Sequence, residues 1–300
     1  MKADAAPATA RPLAAVRLAD LVELTKPGIT LMVVLTAGLG FLLARGEARL
    51  PWLLLVHTLA GTGLVSAGAS ALNHVLEREV DARMRRTAER PLPAGRLDPD
   101  VALLFGVGLA VAGLLELALA VNLLTALLGA LALAGYVFAY TPLKRVSSLN
   151  TVVGAVPGAI PPLMGWAAVR DGLDPGAWAL FGILFLWQMP HFLAIAWLCR
   201  ADYASAGLPM LTVHDPEGSR TARQVLLYGA ALVPISLLPA VQGLLGVPYF
   251  LGALLLGLAY LGFGVDFARR RSTPAARRLM LASILYLPAL LAVMLVDGLA

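Results

Sequence analysis

Charge and cysteine are both scarce in this chain. Asp, Glu, Lys and Arg make up 14% of its 300 residues, about half the share usual in soluble domains, whereas 59% are hydrophobic. Cys199 is the single cysteine, which excludes an intramolecular disulfide and any cysteine-based metal cluster. A basic patch interleaved with aromatics is missing, so the net charge of +5 calls for no nucleic-acid partner. No short apolar core with a small-residue cleavage site opens the chain, so a removable signal peptide is not expected. Low-complexity tracts and internal repeats are also missing. What remains is an all-α integral membrane protein, with 29 glycines and many alanines suited to close helix packing in lipid.

Windows long enough to cross about 30 Å of hydrocarbon predict nine transmembrane helices in one bundle, at 28–45, 52–74, 101–120, 122–140, 148–169, 177–199, 222–242, 247–267 and 277–296. With the N-terminus cytoplasmic, the inner segments carry 20 of the 23 Lys and Arg; only Arg45, Arg49 and Arg170 fall outside. This asymmetry also favours an odd number of crossings. Residues 1–25 read as a flexible cytoplasmic lead-in and residues 26–300 as one membrane domain.

Against this oily background, NHVLEREVDARMRRTAERPLPAG (73–95) stands out where the second helix leaves the membrane. Asn73, Glu77 and Asp81 fall at i, i+4 and i+8, which stacks three oxygen ligands along one face of a continuing helix. Hard oxygens suit Mg²⁺, which completes its shell with water and phosphate oxygens. Arg83, Arg85, Arg86 and Arg90 follow, offering guanidinium forks for remaining phosphate charge.

Three further polar groups interrupt the apolar pattern. Gln188 and His191 lie inside the sixth span on nearly one face, with Asp202 just beyond its end. Lys144 and Arg145 occupy the short loop after the fourth span. Asn150 opens a fifth span broken by Pro157, Pro161 and Pro162, and such breaks survive in membranes where neighbours satisfy the freed carbonyls. Parity brings the 73–90 loop, the Lys144 loop and the Asp202 loop to one cytoplasmic mouth, a place for a phosphorylated head with a greasy tail. Plainer readings stand beside these: a topology anchor for Lys144 and Arg145, a helix-end salt bridge for Asp202, an interhelical hydrogen bond for Gln188 and His191. His57, His74 and His214 read as structural, with no partner visible in the sequence.

The run N-x-x-x-E-x-x-x-D-x-x-M-x-R-T-x-x-R-P-L, then YTPLKR with Asn150 downstream, then WQMPHF and DYASAGLPML, resembles the protoheme IX farnesyltransferase (heme O synthase) family within the intramembrane aromatic prenyltransferase superfamily. The resemblance spans about residues 25–215. It implies a nine-helix fold, farnesyl diphosphate and heme B as substrates, Mg²⁺ dependence, and heme O as product. Heme A synthase or terminal-oxidase assembly proteins are the implied partners, and the cell inner membrane the implied location. Asn73, Glu77, Asp81 and Asp202 are then the metal-binding set, and Arg86, Arg90, Lys144 and Arg145 the diphosphate-binding set. Gln188 and Asn150 line the heme cavity, and His191 positions the macrocycle, ligates its iron or manages a proton. Two departures are visible: Glu77 stands where the family usually has Asp, and Ala206 where the superfamily often has a second Asp four residues after Asp202. Another aromatic acceptor, or a secondary transporter built on proline-broken helices, are the rival readings.

Overall fold

Nine helices long and apolar enough to span a membrane lie among the described residues, with no strand. The structure is a computed structural model and describes residues 16–46 and 48–299. Lys2, Asp4 and Arg11 of the expected lead-in lie outside the described residues. Within residues 16–25, helix α1 (Leu18–Leu24) buries Leu24, and its Asp20 accepts a 2.9 Å hydrogen bond from Arg96.

The spans are α2 (Pro27–Arg45), α3 (Trp52–Asp81), α4 (Pro99–Ala120), α5 (Leu123–Ala134) extended by a π-helical turn (Gly135–Tyr140) and α6 (Thr141–Leu143), then α7 (Asn150–Ala159) continued by α8 (Pro161–Arg170). After these come α9 (Pro175–Leu198), the short α10 (Arg200–Ser205) and α11 (Leu211–His214), and spans α12 (Ser219–Val241), α13 (Val247–Arg270) and α14 (Thr273–Leu299). The limits match the sequence reading closely except at α3. That helix runs to Asp81, about 45 Å at the helical rise, with Glu77, Val80 and Asp81 of its last turns buried and Arg78 and Glu79 exposed.

Local chemistry sets the breaks. Val121 and Asn122 alone separate α4 from α5, and the Asn122 side chain accepts from Thr125 N while donating to Ala167 O at 2.8 Å. Pro161 and Pro162 lack N–H groups, so Pro157 and Gly158 lose their helical donors and the fifth span divides at Ile160. Small residues then let backbones meet. A Cβ on Gly165 would lie 1.8 Å from Ala37 O, and one on Gly68 would lie 2.6 Å from Ala110 N, which locks α8 to α2 and α3 to α4.

Two small apolar clusters form a cap at one end of the bundle. Val80 and Met84 pack with Tyr203, Leu208 and Met210; Leu24 and Ala71 pack with Leu92 and Leu97. The ends of α3, α6, α9 and α13 all lie at this end, as parity requires: Trp197 meets Phe267 edge-on at 5.4 Å.

Candidate active site

The last turns of α3 carry Asn73, Glu77 and Asp81 on one face, and all three are buried, with 5% exposure or less. Each meets a cation from a different segment. Lys26 Nζ donates to Asn73 Oδ1 at 2.8 Å, Lys144 Nζ donates to both Glu77 oxygens at 2.9 and 3.1 Å, and Arg90 Nη1 donates to Asp81 Oδ2 at 2.7 Å. The other Asp81 oxygen is buried with no hydrogen-bond partner among the described residues, and so are both ring nitrogens of His74. Orphaned acceptors of this kind signal room for a polar ligand.

The chain delivers each cation by a specific local device. Thr87 Oγ1 donates to Asp81 O at 2.9 Å, folding the loop back so that Arg90 returns to the helix it left. The π-helical turn widens the fourth span just before Pro142, and Thr141 Oγ1 closes it on Tyr136 O while accepting from Asn73 Nδ2. That bond orients the Asn73 amide with its oxygen toward the site. Lys144 follows immediately and reaches Glu77; burial opposes its charge, but Tyr140 and Glu77 outweigh it and hold the ammonium above the ordinary lysine range.

Lys26 is the site residue that the sequence reading missed, having counted it only as an inside charge. It adopts a left-handed conformation (φ 47°, ψ 66°) immediately before Pro27, at a cost of about 1 kcal/mol for a non-glycine residue. Its ammonium also touches Tyr136 Oη at 3.3 Å. Burial, then the neighbouring Arg90, lowers its pKa to about 8. A Lys-Pro pair opening the first span, on the side shared by the 73–90 loop, was the available signal.

The remaining sequence candidates divide. Arg86 is exposed on the cap with no ion pair among the described residues. Arg145 turns away from the carboxylates and donates to the Leu76 carbonyl. Asp202 is half-buried on α10, which Ser205 ties to Arg83 O at 3.3 Å. Among the described residues no three of His, Cys, Asp and Glu converge on one point, so Asp202 does not complete a three-carboxylate cage with Glu77 and Asp81. Ala206 packs in the Val80–Tyr203 cluster. Asn150 is fully buried and donates to Ser147 O and Met210 Sδ, fastening the start of α7 to the cap. Gln188 spends its amide donors on Ala155 O and Leu184 O, a stitch between α9 and α7.

His191 is tethered to the last span. Its Nδ1 is hydrogen-bonded to Ser283 Oγ at 2.6 Å, and Ser283 Oγ also lies within bonding distance of Met280 O. Trp187 stacks on the ring at 5.1 Å and bonds Ser283 O. His57, far from this end, pairs with Glu116 at 2.6 Å, a partner the sequence did not reveal.

The family model of the UbiA prenyltransferase family matches residues 32–287. The chain belongs to this family. It is 50% identical over 286 residues to the protoheme IX farnesyltransferase of Solibacter usitatus (strain Ellin6076), covering 93% of this chain and 98% of that protein. It is 44% identical over 300 residues to the protoheme IX farnesyltransferase of Koribacter versatilis (strain Ellin345), covering 97% and 96%. A UbiA homolog from Archaeoglobus fulgidus, solved bound to DMAPP and Mg²⁺, shares the fold with a TM-score of 0.68 at 17% identity, over 92% of this chain and 99% of that one. Within this fold, α3 brings Asn73, Glu77 and Asp81 to the bundle end where Lys26, Lys144 and Arg90 converge.

Proposed function

We propose that this chain transfers the farnesyl group of farnesyl diphosphate to a vinyl group of heme B, giving heme O and diphosphate. The observation that carries this reading is the near-full-length 50% identity to a protoheme IX farnesyltransferase, together with the convergence of oxygens and cations at one end of an apolar bundle. Residues 26–300 act as one prenyltransferase domain. Its mouth faces the cytoplasmic side of the cell inner membrane, because 20 of 23 Lys and Arg fall there when the N-terminus is inside.

The donor set fits a hard divalent cation: three oxygen-bearing side chains, two of them carboxylates, with one buried Asp81 oxygen still unpaired. Asn73, Glu77 and Asp81 would hold Mg²⁺, with Asp202 at the rim meeting a second ion or the arginines of the cap. When bound, Mg²⁺ supplies Lewis acidity at the diphosphate oxygens. Lys26, Lys144 and Arg90 against Glu77 and Asp81 leave one surplus positive charge, so a divalent ion and a diphosphate of about three negative charges bring the pocket to neutrality.

Lys26, Lys144 and Arg90 then stabilise the leaving diphosphate, and Arg86 is free to close over it. The C–O bond breaks with its electron pair on the diphosphate, leaving a farnesyl cation that the apolar interior shelters from bulk water. The vinyl carbon of the porphyrin attacks it. Positive charge moves to the carbon beside the pyrrole, which takes a water oxygen and releases a proton to give the hydroxyethylfarnesyl group. Ser283 holds His191 through Nδ1, so Nε2 is the ring nitrogen left for heme, as a ligand to its iron or in handling a proton. Heme A synthase or a terminal oxidase is the consumer this reading implies.

The test offers purified protein farnesyl diphosphate and Mg²⁺ with heme B beside small aromatic acids. Farnesylation of heme B alone is expected. Farnesylation of an aromatic acid with heme B untouched would replace this reading by that of a quinone-precursor prenyltransferase.

A further inference from the structure

At the end of the bundle that carries the active site, but on its outer wall, α13 and α14 frame an open groove of about 490 Å³. Its floor is Ala259, Gly262 and Phe263; its rim is Asp266, Arg270 and Arg278. Gly262 lies eight residues before the end of α13, about 12 Å down the helix, so the floor sits at acyl-chain depth and the rim at headgroup depth. A Cβ on Gly262 would meet nothing within 4 Å: the groove is open because this position carries no side chain.

The rim is built and charged. Asp266 accepts from Arg270 Nε at 2.5 Å and from Arg278 Nε and Nη2 at 3.2 and 2.5 Å, which fixes both guanidinium planes across the groove. Both Nη groups of Arg270 and Nη1 of Arg278 make no hydrogen bond among the described residues. Asp266 is the single acid between residues 260 and 290, against five arginines there. Farnesyl transfer uses none of these residues.

We infer that this groove is a binding site for one anionic phospholipid, its phosphate on Arg270 and Arg278 and an acyl chain along Phe263, Gly262 and Ala259. The two rim arginines outnumber the single Asp266, which favours a phosphate without a compensating choline or ethanolamine cation. The apolar floor distinguishes a lipid from a free phosphate, which gains nothing from it.

Native mass spectrometry of the full chain, released from nanodiscs of equimolar phosphatidylglycerol and phosphatidylcholine, reads the retained lipid directly. Wild type is expected to keep one phosphatidylglycerol per chain, with added inorganic diphosphate failing to displace it. Arg270→Gln with Arg278→Gln should weaken retention roughly 30-fold, at the usual contribution of a basic residue near an anionic leaflet. Gly262→Leu, whose Cβ meets nothing within 4 Å, should fill the floor and also expel the lipid with the chain still folded. It decides the matter alone if the arginine variant does not fold. Equal retention in wild type and Gly262→Leu, or displacement by diphosphate, would overturn the lipid assignment.

Discussion

Replacing Lys144 by Met separates a metal site from an ordinary buried salt bridge. Lys144 and Glu77 are both at least nine-tenths buried, and the ammonium bonds both carboxylate oxygens at 2.9 and 3.1 Å. Methionine keeps the length and removes the charge, leaving Glu77 buried and unpaired. Breaking such a pair costs about 3–5 kcal/mol, which for a chain of this size lowers Tm by roughly 5–8 °C. If Glu77 serves only Lys144, that loss is permanent. If Glu77 is a ligand, Mg²⁺ binds it in place of the missing ammonium, and saturation at a hundredfold over Kd returns about 2.7 kcal/mol. Thermal unfolding in detergent, with and without Mg²⁺, should therefore show a larger Mg²⁺-induced rise in Lys144→Met than in wild type. A variant destabilised as expected but indifferent to Mg²⁺ would refute the ligand assignment of Glu77.

Two further outcomes follow from the same geometry. Lys26 has a folded pKa near 8 against 10.5 for an ordinary lysine, so between those values the unfolded chain binds the proton that the substrate-free fold has shed. Substrate-free stability should gain from this group as pH rises through that window, whereas diphosphate, which needs the ammonium, should show a KM flat below pH 8 and rising about tenfold per unit above it. Lys26→Arg should flatten that rise, and an unchanged profile in the variant would remove Lys26 from the site. His191→Ala should raise the Kd for heme B while the Kd for farnesyl diphosphate, measured by calorimetry, stays within about twofold; parallel loss of both would make the Ser283 bond a folding contact.

The nine spans were legible because their signal is bulk hydropathy, which neighbours do not alter. That Asn73, Glu77 and Asp81 share one face was legible because it depends only on helical periodicity. The continuation of α3 to Asp81 was expected on the same ground, but the enclosure of its inner face was not legible, since it depends on loops that arrive from far along the chain. Lys26 was hidden for a similar reason: its role depends on a left-handed backbone and on Tyr136, more than a hundred residues away. Arg145 illustrates the converse. A basic dipeptide at the mouth suggests two phosphate contacts, but the helical end at Leu143 points only Lys144 inward. Gln188 and Asn150 looked like cavity polar groups and proved to be fasteners between segments, a distinction that needs coordinates.

The most direct test is mass analysis of heme extracted from membranes holding equal amounts of wild type or Asp81→Asn, supplied with heme B, farnesyl diphosphate and Mg²⁺. Asparagine keeps the shape of Asp81 but removes the negative charge that pairs with Arg90 and would hold the metal. Heme O should accumulate with wild type and fall by at least about a hundredfold with the variant, the scale of losing one electrostatic element at a reacting centre. Heme O at near wild-type levels with Asp81→Asn, or heme B unchanged with wild type, would contradict the account.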